Sequence, residues 1–144
     1  MKKLAVVLVC AMPLGACYAD GGEAQALPVK VVAVGQSVVR AEVADTDDER
    51  ELGLMYRKTM PEDAGMLFTW KEPGRHIFWM KNTLIPLDMV FARGGKVVGI
   101  VNDAKPMDET SLDVGVDSNS VLEVNAGWVK AHNVKVGAGL VVRP

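Results

Sequence analysis

Cysteine is nearly absent from this chain, and its two copies, Cys10 and Cys17, both lie close to the N-terminus. The chain beyond Cys17 therefore has no disulfide, no thiol nucleophile and no thiolate metal site. Histidine is as scarce, with only His76 and His132. No G-x-S-x-G elbow accompanies them, so a Ser-His-Asp hydrolase is not expected. No glycine-rich loop opens a helix after a strand, which disfavours a nucleotide fold. Positive charge is not in excess: 16 Lys and Arg face 18 Asp and Glu, for a net charge of −2. That sign argues against a phosphate-backbone binder, so no nucleic-acid partner is expected. It also argues against electrostatic docking on anionic lipid.

The N-terminus carries what the rest lacks. Met1-Lys2-Lys3 precedes an unbroken apolar run at residues 4–9. This is the charged and apolar pattern of a secretory signal. The run is too short to span a bilayer, which needs about 20 apolar residues. Leu14-Gly15-Ala16-Cys17 resembles a lipoprotein box. Residues 1–16 are then a signal peptide, and Cys17 is the acylated first residue of the mature protein. Cleavage after Ala19 is the alternative and would leave a soluble protein. Residues 17–28 include Asp20-Gly21-Gly22-Glu23 and read as a flexible tether. The expected location is the periplasm or cell envelope, with a membrane link through the Cys17 lipid. Loss of Lys2 and Lys3 on processing makes the mature part more acidic still.

Residues 29–144 read as a single, mainly β domain. Residues 29–34 and 38–44 form a hairpin, and the second run alternates Val39, Ala41 and Val43 with Arg40 and Glu42. Thr46-Asp47-Asp48-Glu49 is a capping box, predicting a helix to about Leu54. Strands are predicted at 66–70, 76–81, 87–92, 96–102, 120–124 and 140–142. Arg93-Gly94-Gly95-Lys96 is a tight turn between two of them. Asn125 is placed as the cap of a short helix through His132. Short strands with one or two short helices make a compact antiparallel β-sandwich or barrel-like domain.

The most unusual stretch is Phe78-Trp79-Met80-Lys81-Asn82-Thr83-Leu84-Ile85-Pro86-Leu87-Asp88. It gathers aromatics, a cation, an amide, a hydroxyl and a carboxylate, which suits an amphipathic ligand surface. The plainer alternative is that Lys81 pairs with Asp88 or Glu123 and that Asn82-Thr83 satisfy a bend. Met55, Met60, Met66, Met80, Met89 and Met107, together with His76, could in principle offer ligands to Cu(I). The methionines form no M-x-M or M-x-x-M cluster, and core filling explains them better. No metal or cofactor is expected.

Glu49-Arg50-Glu51-Leu52-Gly53-Leu54-Met55-Tyr56-Arg57, Gly65-Met66-Leu67-Phe68, Phe78-Trp79-Met80-Lys81-Asn82-Thr83, Ile85-Pro86-Leu87-Asp88 and Val121-Leu122-Glu123 together resemble the family called domain of unknown function 192. The resemblance spans about residues 29–142. It implies a sandwich or barrel-like domain, commonly exported, and it implies no activity. The chain departs from the family pattern at Asp103-Ala104-Lys105-Pro106-Met107, where a cysteine is common. It departs again at Gly137-Ala138, where a glycine–aspartate pair is usual.

The motifs nominate Arg50, Arg57, Trp79, Lys81, Asn82, Asp88 and Glu123 as ligand-binding candidates. Arginines could grip a carboxylate or sugar, and Trp79 could stack on a sugar ring. An ion-pair network fixing the helix to the sheet explains the same residues structurally. The leading expectation is a non-catalytic binding module for a small polar ligand, a glycan or a partner envelope protein. One alternative is a hydrolase of cell-wall or sugar bonds using Asp88 and Glu123 as a carboxylate pair, about 5 to 10 Å apart. Another is a lipid-tethered structural or assembly subunit.

Overall fold

The computed structural model describes residues 26–144. The signal segment, Cys17 and most of the tether lie outside the described residues. The elements run β1 (Val29–Val34), β2 (Ser37–Ala44), α1 (Asp47–Leu52), β3 (Ala64–Gly74), β4 (Leu87–Arg93), β5 (Lys96–Ala104), β6 (Ser118–Asn125), α2 (Trp128–Ala131) and β7 (Leu140–Val142). All seven strands join one sheet in the order β5-β4-β6-β3-β2-β1-β7.

The sheet curls until its edges meet. Val97 N donates to Ala138 O at 2.9 Å, and Leu140 N donates to Gly95 O at 2.8 Å, linking the start of β5 to the approach to β7. Edge groups that would otherwise be open are thus partly satisfied. The expected barrel-like β domain is what the chain forms. One neighbouring pair, β2 and β3, is parallel rather than antiparallel. Its connection carries α1 and residues 53–63 across the sheet, and a parallel pair requires such a crossover.

Alternation along the strands sorts side chains into two cores. The concave face collects Val32, Val39, Leu67, Val90, Leu122 and Val124, with Trp128 and Val129 of α2 closing over them. The convex face of β3, β4 and β6 collects Met66, Phe68, Met89, Phe91 and Val121. Residues 75–86 cover this second core, burying Met80 and Ile85. The faces of the central strands are therefore both apolar, and burial of each such side chain stabilises by about 1.5–3 kcal/mol. β4 accordingly has no exposed residue before Arg93.

Gly65 permits the close approach of β3 to β6. A Cβ there would lie 2.5 Å from Glu123 O and 3.1 Å from Val39 Cγ1.

The capping box forms as expected. Glu49 N donates to Thr46 Oγ1 at 3.3 Å. Thr46 N donates to Glu49 Oε2 at 3.0 Å. The helix stops at Leu52, before the expected Leu54, because Gly53 follows at φ 47.

Two other expectations are corrected. Residues 76–81 are not a strand of the sheet. Phe78 makes one isolated bridge to Leu112, and Met80 N donates to Asp108 O at 2.7 Å. The segment's backbone is satisfied by the loop after β5, not by a strand. Asn125 does not cap α2, whose N-cap is Gly127 without a side-chain hydrogen bond. Asn125 Nδ2 instead donates to Met60 O at 3.1 Å and Pro61 O at 3.0 Å, pinning the loop before β3.

Candidate functional site

The segment 75–83 is anchored by one aromatic side chain. The Phe78 ring packs edge-on against Phe68 at 5.2 Å, Phe91 at 5.7 Å and Trp70 at 6.3 Å. Pairs of this kind contribute roughly 0.5–1.5 kcal/mol each beyond buried area. Phe78 thereby fixes its neighbours: His76 stacks on Trp70 at 3.6 Å, and Trp79 points outward, 46% exposed.

Between this segment and α1 lies an open cleft of about 390 Å³, with Arg50, Trp70, His76, Phe78, Trp79 and Glu123 among its lining residues. Glu123 is only 4% exposed. In the register of β6 it lies opposite Met66 of β3 and Met89 of β4. Among the described residues no hydrogen bond reaches its carboxyl. Burial alone pushes that carboxyl up to about 8. At neutral pH it is an uncharged acid, one donor and one acceptor, facing a cavity.

His76 is the second unpartnered group, since its Nε2 is buried without a hydrogen bond. Burial holds the imidazole below its ordinary value and Arg50 adds to this, against a Ser118 backbone hydrogen bond and the Asp117 charge. It too is neutral at pH 7.

The structure brings only some of the sequence candidates together. Arg50, Trp79 and Glu123 line the cleft. Lys81 and Asn82 line an adjoining cleft that also includes Trp79. Lys81 pairs with neither Asp88 nor Glu123. Its Nζ sits 4.9 Å from the centre of the Trp79 ring. Asn82 holds a left-handed bend at φ 54, and its Nδ2 donates to Tyr56 Oη at 2.9 Å. Asn tolerates this backbone region better than most residues.

Arg57 is remote from the cleft and grips Glu42 through two hydrogen bonds of 2.5 and 2.6 Å. Those bonds hold Glu42 below its ordinary value. Asp88 is also elsewhere. Its carboxylate accepts from Asp103 N and Val129 N, both at 3.0 Å, and ties α2 and the end of β5 to β4. Asp88 and Glu123 therefore do not form the expected carboxylate pair: they project from opposite faces of the sheet, so no substrate bond lies between them.

Arg50 is already committed. Its Nη1 donates to Asp45 O at 2.6 Å and Thr69 O at 2.7 Å, and its Nη2 to Asp47 Oδ1 at 2.6 Å. Its guanidinium also lies 5.3 Å from the Trp70 ring centre. This arginine joins α1 to β3 and shapes the cleft wall. Neither Trp70 nor His76 was among the ligand-binding residues nominated from the sequence. Their placement on either side of Pro73 was the available signal, because the irregularity of β3 between Thr69 and Gly74 lets the two rings stack face to face. Among the described residues no cluster of His, Cys, Asp and Glu could hold a metal ion.

No curated protein matches the chain. Solved structures do match it. A Sinorhizobium meliloti protein with the provisional label of transcription regulator is 36% identical, with a TM-score of 0.79, covering 81% of this chain and 95% of its own. A Novosphingobium aromaticivorans protein of unknown function is 34% identical, with a TM-score of 0.78, covering 82% of this chain and 88% of its own. The model of an uncharacterised ACR family matches residues 29–142, the span of the whole sheet. The chain belongs to that family, domain of unknown function 192.

Proposed function

We propose that the protein is an exported, non-catalytic binding module whose site is the cleft between α1 and residues 75–83. One observation carries this reading: a buried carboxyl without a hydrogen-bond partner faces an open cleft whose rim holds an exposed tryptophan. Leaving a buried polar group unpaired costs about 1–3 kcal/mol. A ligand that hydrogen-bonds the Glu123 carboxyl recovers part of that cost. Asp88, the carboxylate expected to act with Glu123, lies on the other face of the sheet.

Export and attachment through acylated Cys17 belong to the same proposal, supported by the Lys2-Lys3 and Leu14-Gly15-Ala16-Cys17 pattern. A nucleic-acid ligand is not part of it. Arg50, Arg57 and Arg75 are each paired with an acid, which leaves these cations committed.

Native mass spectrometry of the full chain from the cell envelope tests the reading. A co-purified small molecule should be present and should be lost in Trp79→Ala, with an unchanged melting curve. If the ligand survives that substitution, the cleft is not the site. The N-terminal mass should carry a lipid that Cys17→Ala removes.

The exposed Leu52, Tyr56 and Ile77 around the two clefts favour a second reading, a docking face for a partner envelope protein. Crosslinking from position 56 separates the two, because only a protein partner gives a heavier adduct.

A further inference from the structure

Resting on the reading of the cleft as a binding site, we propose that its ligand is an uncharged, hydroxyl-bearing ring, a saccharide unit. It stacks on Trp79 and places a hydroxyl on the Glu123 carboxyl. The argument begins with charge. The cations lining the cleft are Arg50 and Arg75, and Lys81 stands beside its rim with Nζ 4.9 Å from the Trp79 ring centre. Arg50 is spent on Asp47 and two carbonyls, and Arg75 on Asp113 and Gly115 O. Each is already paired with an acid of the protein itself. Asp47 and Glu51 also line the cleft and would repel an anion.

The polar group left over is of a different kind. Glu123 is a donor and an acceptor while protonated. A hydroxyl is also both, so it matches the protonated carboxyl with nothing left unpaired. An anion would instead need two donors and would meet one ionisable acid. The aromatic surface completes the fit, because a sugar ring has an apolar face of C–H groups beside its hydroxyls.

The binding state is tied to the Glu123 proton, whose loss near pH 8 replaces a donor with a buried charge. The charged groups around it are Asp47, Arg50 and Glu51 on the α1 side and Arg75 with His76 on the other. From the sheet, only the thioethers of Met66 and Met89 flank it.

The experiment titrates the full chain by tryptophan fluorescence and calorimetry with two sets of probes. Glucose, N-acetylglucosamine and their β-linked oligomers form the neutral set. Glucuronate and glucose 6-phosphate form the anionic set. The neutral set should bind at pH 7, and Trp79→Ala should weaken binding at least about tenfold. Affinity should fall about tenfold from pH 7 to pH 9, following the protonated fraction of Glu123. Glu123→Gln, which keeps a donor and an acceptor, should hold its pH 7 affinity to pH 9. A preference for the anionic set, or a pH-independent wild-type affinity, overturns this inference and leaves the binding module standing. Failure of both sets overturns it too; if the envelope-extracted chain also carries no ligand that Trp79→Ala removes, the binding-module reading falls with it.

Discussion

Asp88 and Glu123 lie on adjacent strands, one register step apart, and face opposite sides of the sheet. Asp88 is paired with Val124, and Glu123 with Met89. Because side chains alternate along a strand, that single step sends Asp88 to the α2 side and Glu123 to the cleft. Their roles separate accordingly, one tying elements together and the other open to a ligand.

Substitution of Glu123 should change the pH dependence of stability. Its folded value of about 8 is above the unfolded 4.5, so the folded state keeps a proton that the unfolded chain has released between those values. Stability therefore falls as pH rises through that window, by on the order of 3 kcal/mol up to pH 7. Glu123→Gln removes this term. The difference in unfolding free energy between variant and wild type should grow from pH 5 to pH 8 and then level off. Urea unfolding at each pH measures it, and parallel curves would show that the carboxyl titrates normally.

Asp88→Ala should destabilise without touching the cleft. It strips the acceptor from Asp103 N and Val129 N, the second of them at a buried site. Two lost charge-assisted bonds predict a loss of about 2–4 kcal/mol. Chemical denaturation should show that loss, while any ligand affinity of the folded fraction stays at the wild-type value.

Gly65→Ala should be costly for its size. The added methyl meets a carbonyl oxygen of β6, a rigid backbone atom, at 2.5 Å. Separation of β3 from β6 would cost about 1–3 kcal/mol, as overpacking does elsewhere. Thermal melting would report it, with a midpoint several degrees lower.

Thr46→Ala should loosen the roof of the cleft. α1 has no buried residue of its own, so its end caps and Arg50's bonds to β3 hold it. Loss of the cap should cost about 1 kcal/mol. Hydrogen exchange should quicken at residues 49–53, ahead of the strands.

Much of the fold was legible in local sequence. The cap at Thr46 and Glu49, the turn at Gly94-Gly95 and the last strand at Leu140–Val142 form where short-range pattern places them. Such features depend on a few neighbouring residues and their backbone preferences. The 76–81 segment was not legible, because its large alternating side chains look the same whether the backbone partner is a strand or a loop.

By itself the sequence determined a mainly β domain, its family and the short list of chemistry-bearing residues. Periodicity and motif order suffice for that. Only the tertiary structure decided which of those residues meet. It drew Arg57 onto Glu42, spent Arg50 on α1 and β3, and put Asp88 behind the sheet. It also brought in His76 and Trp70, which no motif had marked. The reason is physical: the sheet's curl and register set each side chain's face, and both arise from contacts between strands far apart in the chain.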